Sequence, residues 1–250
     1  MAPGATHGPR PLFVVLDGID GCGKTTQAAR LAAALHGLRT GAIEGAGAAL
    51  HLREPGSTPA GEAIRALVLA NEPPLGRGAL ALLFAAARRE TLEQLVAPAL
   101  AAGRGVVIER FHASTFAYQG SRQARAGETA PYDDDALLEL LHGWAGAPVP
   151  DVELVLDLAP AEAAARADER ARGESGSGRD RFEAEGLAFQ ERVREGLLDY
   201  VARVDRARLV DASGTPDEVE ARVREAILEA PLAASAVGRS ARRAGEGSGA

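Results

Sequence analysis

The chain has 250 residues, of which 46% are hydrophobic, and a formal net charge of -7. That is ample for one packed domain, and it argues against general nucleic-acid binding, which needs a basic face. The single cysteine excludes an internal disulfide framework, and no run approaches the ~20 apolar residues of a membrane span.

Met1 to Pro11 is rich in Pro and Gly and reads as a flexible N-terminal arm without a signal-peptide apolar core. The expected setting is therefore the cytoplasm. Leu12 to Leu16 is apolar throughout, as in a buried parallel strand. It runs into Gly18, Ile19, Asp20, Gly21, Cys22, Gly23, Lys24, Thr25 and Thr26, and then into an alanine-rich helix. The string fits G-x-x-x-x-G-K-[ST], and strand, glycine turn and helix is the context that this motif requires. Glycines let the backbone wrap closely around phosphate oxygens, while amide N–H groups and the helix N-terminus face the anion. Lys24 is placed to reach the outer phosphates of a nucleotide, and the Thr25 hydroxyl to meet magnesium. Cys22 reads as a small residue that the loop tolerates, since reactivity needs thiolate character.

Gly37 to Ala49 is rich in Gly and Ala; Gly41 to Gly47 reads as loop, with a small insertion over 41–49, and a second strand is expected near Ala48 to Leu52. Arg53-Glu54-Pro55-Gly56-Ser57-Thr58 follows as a loop at the carboxyl end of that strand. Helices are expected over Glu62 to Ala70 and within Gly76 to Ala102, the second with Leu80, Leu83, Phe84 and Ala87 on one side. Gly105 to Arg110 is a strand that ends on the charged pair Glu109-Arg110, where open α/β sheets place their sites. Asp133 to Ala145 reads as a helix, Val152 to Asp157 as a strand, and Pro160 to Arg172 as an arginine-rich helix. Gly173 to Gly178 is a flexible break. A helix over Glu183 to Arg203, a short strand at Arg208 to Asp211 and a last helix over Pro216 to Leu228 complete the domain. Residues 231–250 lack an apolar period and read as a disordered tail. Strands alternating with helices predict an α/β fold, a parallel sheet of about five strands covered on both faces.

Five segments in order resemble the thymidylate kinase family of P-loop nucleoside monophosphate kinases. They are Asp17 to Thr26, Arg53 to Thr58, Leu83 to Arg88, Glu109 to Phe111 with Ser114 to Gly120, and Asp180 to Glu183. The resemblance spans residues 12–228 and implies a P-loop NTPase fold with a mobile arginine-rich lid at about 161–183. It implies phosphoryl transfer from ATP to thymidine monophosphate, with magnesium, in a homodimer. Phosphoryl transfer asks for a donor cradle, an acceptor clamp, a metal and a cation over the moving group.

By this resemblance Arg53 and Arg110 hold the acceptor phosphate, which suits their bidentate guanidinium forks; an ion pair such as Arg53 with Glu54 is the plainer alternative. Phe84 and Arg88, four apart on one helix face, would stack on the base and bond its edge; core packing is the alternative for Phe84. Thr115, Tyr118 and Gln119 would meet base and sugar, with Tyr118 selecting deoxyribose. Asp20, a carboxylate among anions, would turn toward the acceptor's sugar hydroxyl. Glu109 stands where the family usually has aspartate and would order magnesium-bound water. Gly21 occupies a position where one subtype has arginine, so the lid supplies the cation, with Arg170, Arg172 and Arg181 as candidates. Arg166 and Arg170 share a helix face, where like charges cost about a few tenths of a kcal/mol. The histidines show no ligand spacing.

Two other readings remain open. A deoxyribonucleoside kinase also carries a Glu-Arg pair after a strand, but needs a base because it phosphorylates a sugar hydroxyl. A nucleotide-binding regulator would keep the loop without turnover.

Overall fold

A computed structural model describes residues 11–40, 48–70, 74–124, 132–173 and 186–230. Apart from Pro11, the expected arm lies outside these, as do the tail over 231–250 and residues 41–47 of the insertion. Five parallel strands form one sheet in the order β2-β3-β1-β4-β5. They are β1 (Phe13–Gly18), β2 (Leu50–Arg53), β3 (Val106–Glu109), β4 (Val152–Asp157) and β5 (Ala207–Asp211). β1 is central and wholly buried, which is why its sequence is an unbroken apolar run. Its side chains alternate between two cores. Val14 and Leu16 join Val107 and Leu154 on one face, while Phe13 and Val15 join Val106, Ile108 and Phe111 on the other.

Helices cover both faces. α1 (Lys24–Thr40) grows out of the glycine loop, and α2 (Pro59–Ala70) follows β2. α2 begins three residues before the expected Glu62, because the Thr58 hydroxyl accepts from Gly61 N at 2.9 Å and Pro59 opens the helix. The long helix expected within Gly76 to Ala102 is three pieces: α3 (Arg77–Thr91), a π-helical turn (Leu92–Val96) and α4 (Ala97–Ala101). Pro98 has no N–H for the ladder and its ring crowds the carbonyl four residues back, so the preceding turn widens and Ala97 N reaches Leu92 O.

α5 (His112–Gln119) was not foreseen by periodicity. Its start is fixed by a carboxylate from another strand: Asp17 Oδ1 accepts from Phe111 N at 3.1 Å and from Ser114 N at 3.0 Å, as well as from the Ser114 hydroxyl. α6 (Asp134–His142) is capped by Asp133 and stops at Gly143, so the expected helix to Ala145 finishes as a separate 3-10 turn. α7 (Pro160–Gly173), α8 (Leu187–Arg203) and α9 (Pro216–Glu229) complete the layers, with a capping box at Thr215 and Glu218 opening α9.

One consequence of this topology governs the rest. β2, β3 and β1 are neighbours, with Arg53 beside Glu109 and Glu109 beside Leu16 in register. The segments that leave their carboxyl ends therefore open onto one crevice, as doubly wound sheets place their ligand sites.

Candidate active site

The floor of the crevice is the loop from Gly18 to Thr26. Gly21 has φ +83, and a Cβ there would lie 2.2 Å from the Ala163 carbonyl oxygen of α7. Only glycine fits that contact. Lys24 is 7% exposed and donates from Nζ to the Gly18 and Ile19 carbonyls at 3.0 and 2.7 Å. Cys22 is buried and belongs to the same core cluster as Leu16 and Ile19.

Arg110 follows β3 in the left-handed region at φ +63, a conformation costly for a side chain with a Cβ. The turn carries its guanidinium to Asp20, with which it makes a close ion pair, and places Cζ 5.5 Å from the Tyr118 ring centroid. Tyr118 donates its hydroxyl to Asp20 Oδ2 at 3.2 Å, and Lys24 Nζ stands 3.8 Å from Asp20. Burial works against the Asp20 charge, yet Arg110 and Lys24 hold its carboxyl below the ordinary range.

Glu109 bridges two elements. It accepts from the Thr25 hydroxyl at 2.6 Å through one oxygen and meets His51 Nε2 at 2.8 Å through the other. Thr25 and Glu109 thus present hard oxygen donors at the loop's end, a donor set that suits magnesium.

The opposite wall comes from α3 and α5. Arg88 is 2% exposed; its Nε donates to Glu54 at 2.8 Å and its Nη2 to the Thr115 hydroxyl at 2.9 Å. Its Cζ lies 4.7 Å from the Phe111 ring centroid. Burial pushes the Glu54 carboxyl up to about 7, with Arg88 pulling it back and Asp17 adding to the rise. The ion pair expected as an alternative for Arg53 is formed with Glu62 at 3.0 Å, not with Glu54, because Glu54 is committed to Arg88.

These groups enclose one cleft of about 340 Å³. It is lined by Asp20, Gly21, Gly23, Lys24, Thr25, Thr26, Arg53, Phe84, Arg88, Glu109, Arg110, Thr115, Tyr118 and Gln119, all named from the sequence. Gly18, Ile19 and Cys22 lie beneath the floor. The lining also includes Glu54, Phe111 and Ser114, and one face of α2, Arg65, Val68 and Leu69. The spacing of those last three was a readable signal of a shared helix face.

The arginine-rich segment is only partly described. Arg170 and Arg172 lie on α7, with their side chains outside the described set, and Arg181 lies outside the described residues. Arg166 is tied down: it donates to the Ala212 and Gly214 carbonyls at 2.9 and 3.1 Å and pairs with Glu162 at 2.7 Å.

His112, His142 and Glu153 meet in the core, although their spacing gave no sign of it. The Glu153 oxygens accept from Tyr200 and Arg206, each at 2.7 Å, so the group is an internal polar network rather than three converging lone pairs.

A sequence profile of the thymidylate kinase family matches residues 16–223. The chain belongs to the thymidylate kinase family. It is 42% identical over 232 residues to the thymidylate kinase of Cereibacter sphaeroides, covering 92% of this chain and 99% of that one. The thymidylate kinase of Jannaschia sp. is 41% identical over 212 residues, with coverage of 84% and 92%. A crystal structure of thymidylate kinase from Ehrlichia chaffeensis superposes with a TM-score of 0.62 at 25% identity, covering 88% of this chain and 99% of that one. For a thymidylate kinase family member, then, the loop, Arg53 at the end of β2, Arg110 just beyond β3, and the α3–α5 wall share one crevice.

Proposed function

We propose that the chain transfers a phosphoryl group from ATP to thymidine monophosphate, giving thymidine diphosphate and ADP in the supply of thymidine triphosphate. The observation that carries this is the shared cleft, which holds a phosphate loop on one side and an arginine-and-aromatic wall on the other. In this reading the amides of the glycine loop and Lys24 hold the donor phosphates. Arg53 and Arg110 grip the acceptor phosphate, and Asp20 and Tyr118 meet its sugar. Phe84 stacks on the base, with Arg88, Thr115 and Gln119 around its edge.

Arg88 Nη1 and Gln119 Oε1 are buried without partners among the described residues. Both residues line the cleft, and a donor with an acceptor there complements the O4 and N3–H of thymine, whereas cytosine presents the reverse pattern. That supports a thymine-type base in the pocket.

Thr25 would hold magnesium directly and Glu109 through water. Bound there, the ion offsets charge on the phosphates as the group moves. No general base is required, because the nucleophile is a phosphate oxygen with a pKa of about 6, already ionised at neutral pH. The protein's own part is to align the two nucleotides and stabilise charge. Arg170, Arg172 and Arg181 on a lid over about 161–183 would supply the cation above the transferring group. We assign the catalytic unit to one domain over 12–230, working as a cytoplasmic homodimer. The supporting facts are that no described helix is long and apolar enough to cross a membrane, and the family match.

The decisive experiment offers thymidine and thymidine monophosphate side by side, each with ATP and magnesium. Turnover of the monophosphate alone is expected. Turnover of thymidine instead would make the chain a deoxyribonucleoside kinase, and turnover of neither would favour a regulator. Lys24→Ala is expected to abolish transfer, and near-normal turnover by that variant would refute the mechanism.

A further inference from the structure

We propose that Glu54 is a positioning residue: it fixes the Arg88 guanidinium so that a single unpaired N–H edge faces the acceptor base, and so sets which pyrimidine the pocket takes. The inference rests on the reading of Arg88 as a base contact. Its grounds are geometric. The Nε and Nη2 edge of Arg88 is spent on the protein, on Glu54 Oε2 at 2.8 Å and on the Thr115 hydroxyl at 2.9 Å. The Phe111 ring backs the guanidinium at 4.7 Å. Nη1 is the one guanidinium nitrogen with no partner among the described residues; it is buried, and Arg88 lines the cleft.

Arginine has donors only, so a fixed Nη1 donates to an exocyclic carbonyl and repels an exocyclic amine. A guanidinium free to swing would present any of its nitrogens, and discrimination would fall. Thr115 cannot hold the plane alone, since one hydrogen bond leaves rotation about it open. Glu54 supplies the second, charge-assisted bond from a side chain that is itself 4% exposed. It reaches Arg88 from the loop that follows Arg53, the last residue of β2. The residue that orders the base contact and one that faces the acceptor phosphate are thus adjacent in the chain.

The test is a double-mutant cycle read with thymidine and deoxycytidine monophosphates. Glu54→Gln keeps size and an acceptor oxygen but removes the charge. It is expected to raise KM for thymidine monophosphate by about tenfold, the scale of one charge-assisted hydrogen bond, and to narrow the preference over deoxycytidine monophosphate by a similar factor. kcat and KM for ATP are expected to stay within about twofold, which general damage to the fold would not allow. On an Arg88→Met background, Glu54→Gln is expected to change neither quantity further, because its effect runs through Arg88. That double variant removes both buried charges together, so thermal unfolding of the pair guards against a folding artefact. Equal effects of Glu54→Gln on both backgrounds, or none on the parent, would overturn the role of Glu54 and leave the base pocket standing. No effect of Arg88→Met on either monophosphate would overturn the pocket reading, and the inference with it.

Discussion

Glu109 holds Thr25 with one oxygen and His51 with the other, a span that suits glutamate because its extra methylene lets one carboxylate reach both neighbours. Glu109→Asp is expected to keep the Thr25 side and lose the His51 side, lowering kcat by about tenfold, with Glu109→Ala costing about a hundredfold or more. A titration of rate against magnesium would separate the two, and equal losses would show that length alone governs the position. Arg88→Ala is expected to raise KM for thymidine monophosphate by at least about tenfold and to leave KM for ATP within about twofold; equal effects on both would remove Arg88 from the base pocket. At this scale the residue types of the site were legible, because each sits in a short local string. Their pairings were not. Arg53 lies next to Glu54 in the chain yet pairs with Glu62, while Glu54 reaches Arg88 on another helix. Adjacent side chains on an extended segment point apart, and the sequence does not show which distant helix arrives.

At the scale of elements, the wall of the cleft depends on how closely α8 approaches α5. A Cβ on Gly196 would come within 2.9 Å of the Ala117 Cα, so the two helices touch nearly backbone to backbone. Gly196→Ala gains about 1 kcal/mol of helix propensity but forces the helices apart, for a net destabilisation expected at about 1–2 kcal/mol. Urea unfolding would measure it, and KM for thymidine monophosphate should rise with it, since α5 carries Thr115, Tyr118 and Gln119. The strands and most helices were readable from apolar runs, caps and breakers. α5 was not, because its N-terminal cap comes from Asp17, more than ninety positions away. The π-turn was half visible: Pro98 stood in plain sight, but a proline inside an apolar period does not say whether the helix stops or merely slips.

Across the whole molecule, stability should depend on a histidine buried behind the cleft wall, its ring centroid 4.0 Å from that of Phe111. His112 is fully buried, and burial drives its pKa from 6.5 down to about 3, with Glu153 pulling the other way without prevailing. Once unfolded, the ring titrates normally and binds a proton that the folded protein refuses. Its contribution to stability is therefore present above pH ~6.5 and lost as pH falls toward ~3. His112→Gln is expected to flatten that part of a stability-against-pH curve measured by urea unfolding, and an unchanged slope would mean that other groups set it. The parallel sheet and its site edge followed from alternating strands and helices, because a crossover between parallel strands leaves few arrangements. The convergence of His112, His142 and Glu153 did not, since it depends on how α5, α6 and β4 stack.

The near-collision between Gly21 and the Ala163 carbonyl limits what evolution or an engineer can do at this position. A long cationic side chain placed at 21 would meet a backbone oxygen of α7 and a left-handed φ at once. Moving the positive charge that we assign to the lid into the loop would therefore require at least two coordinated changes, one to supply the arginine and one to withdraw the helix that blocks it.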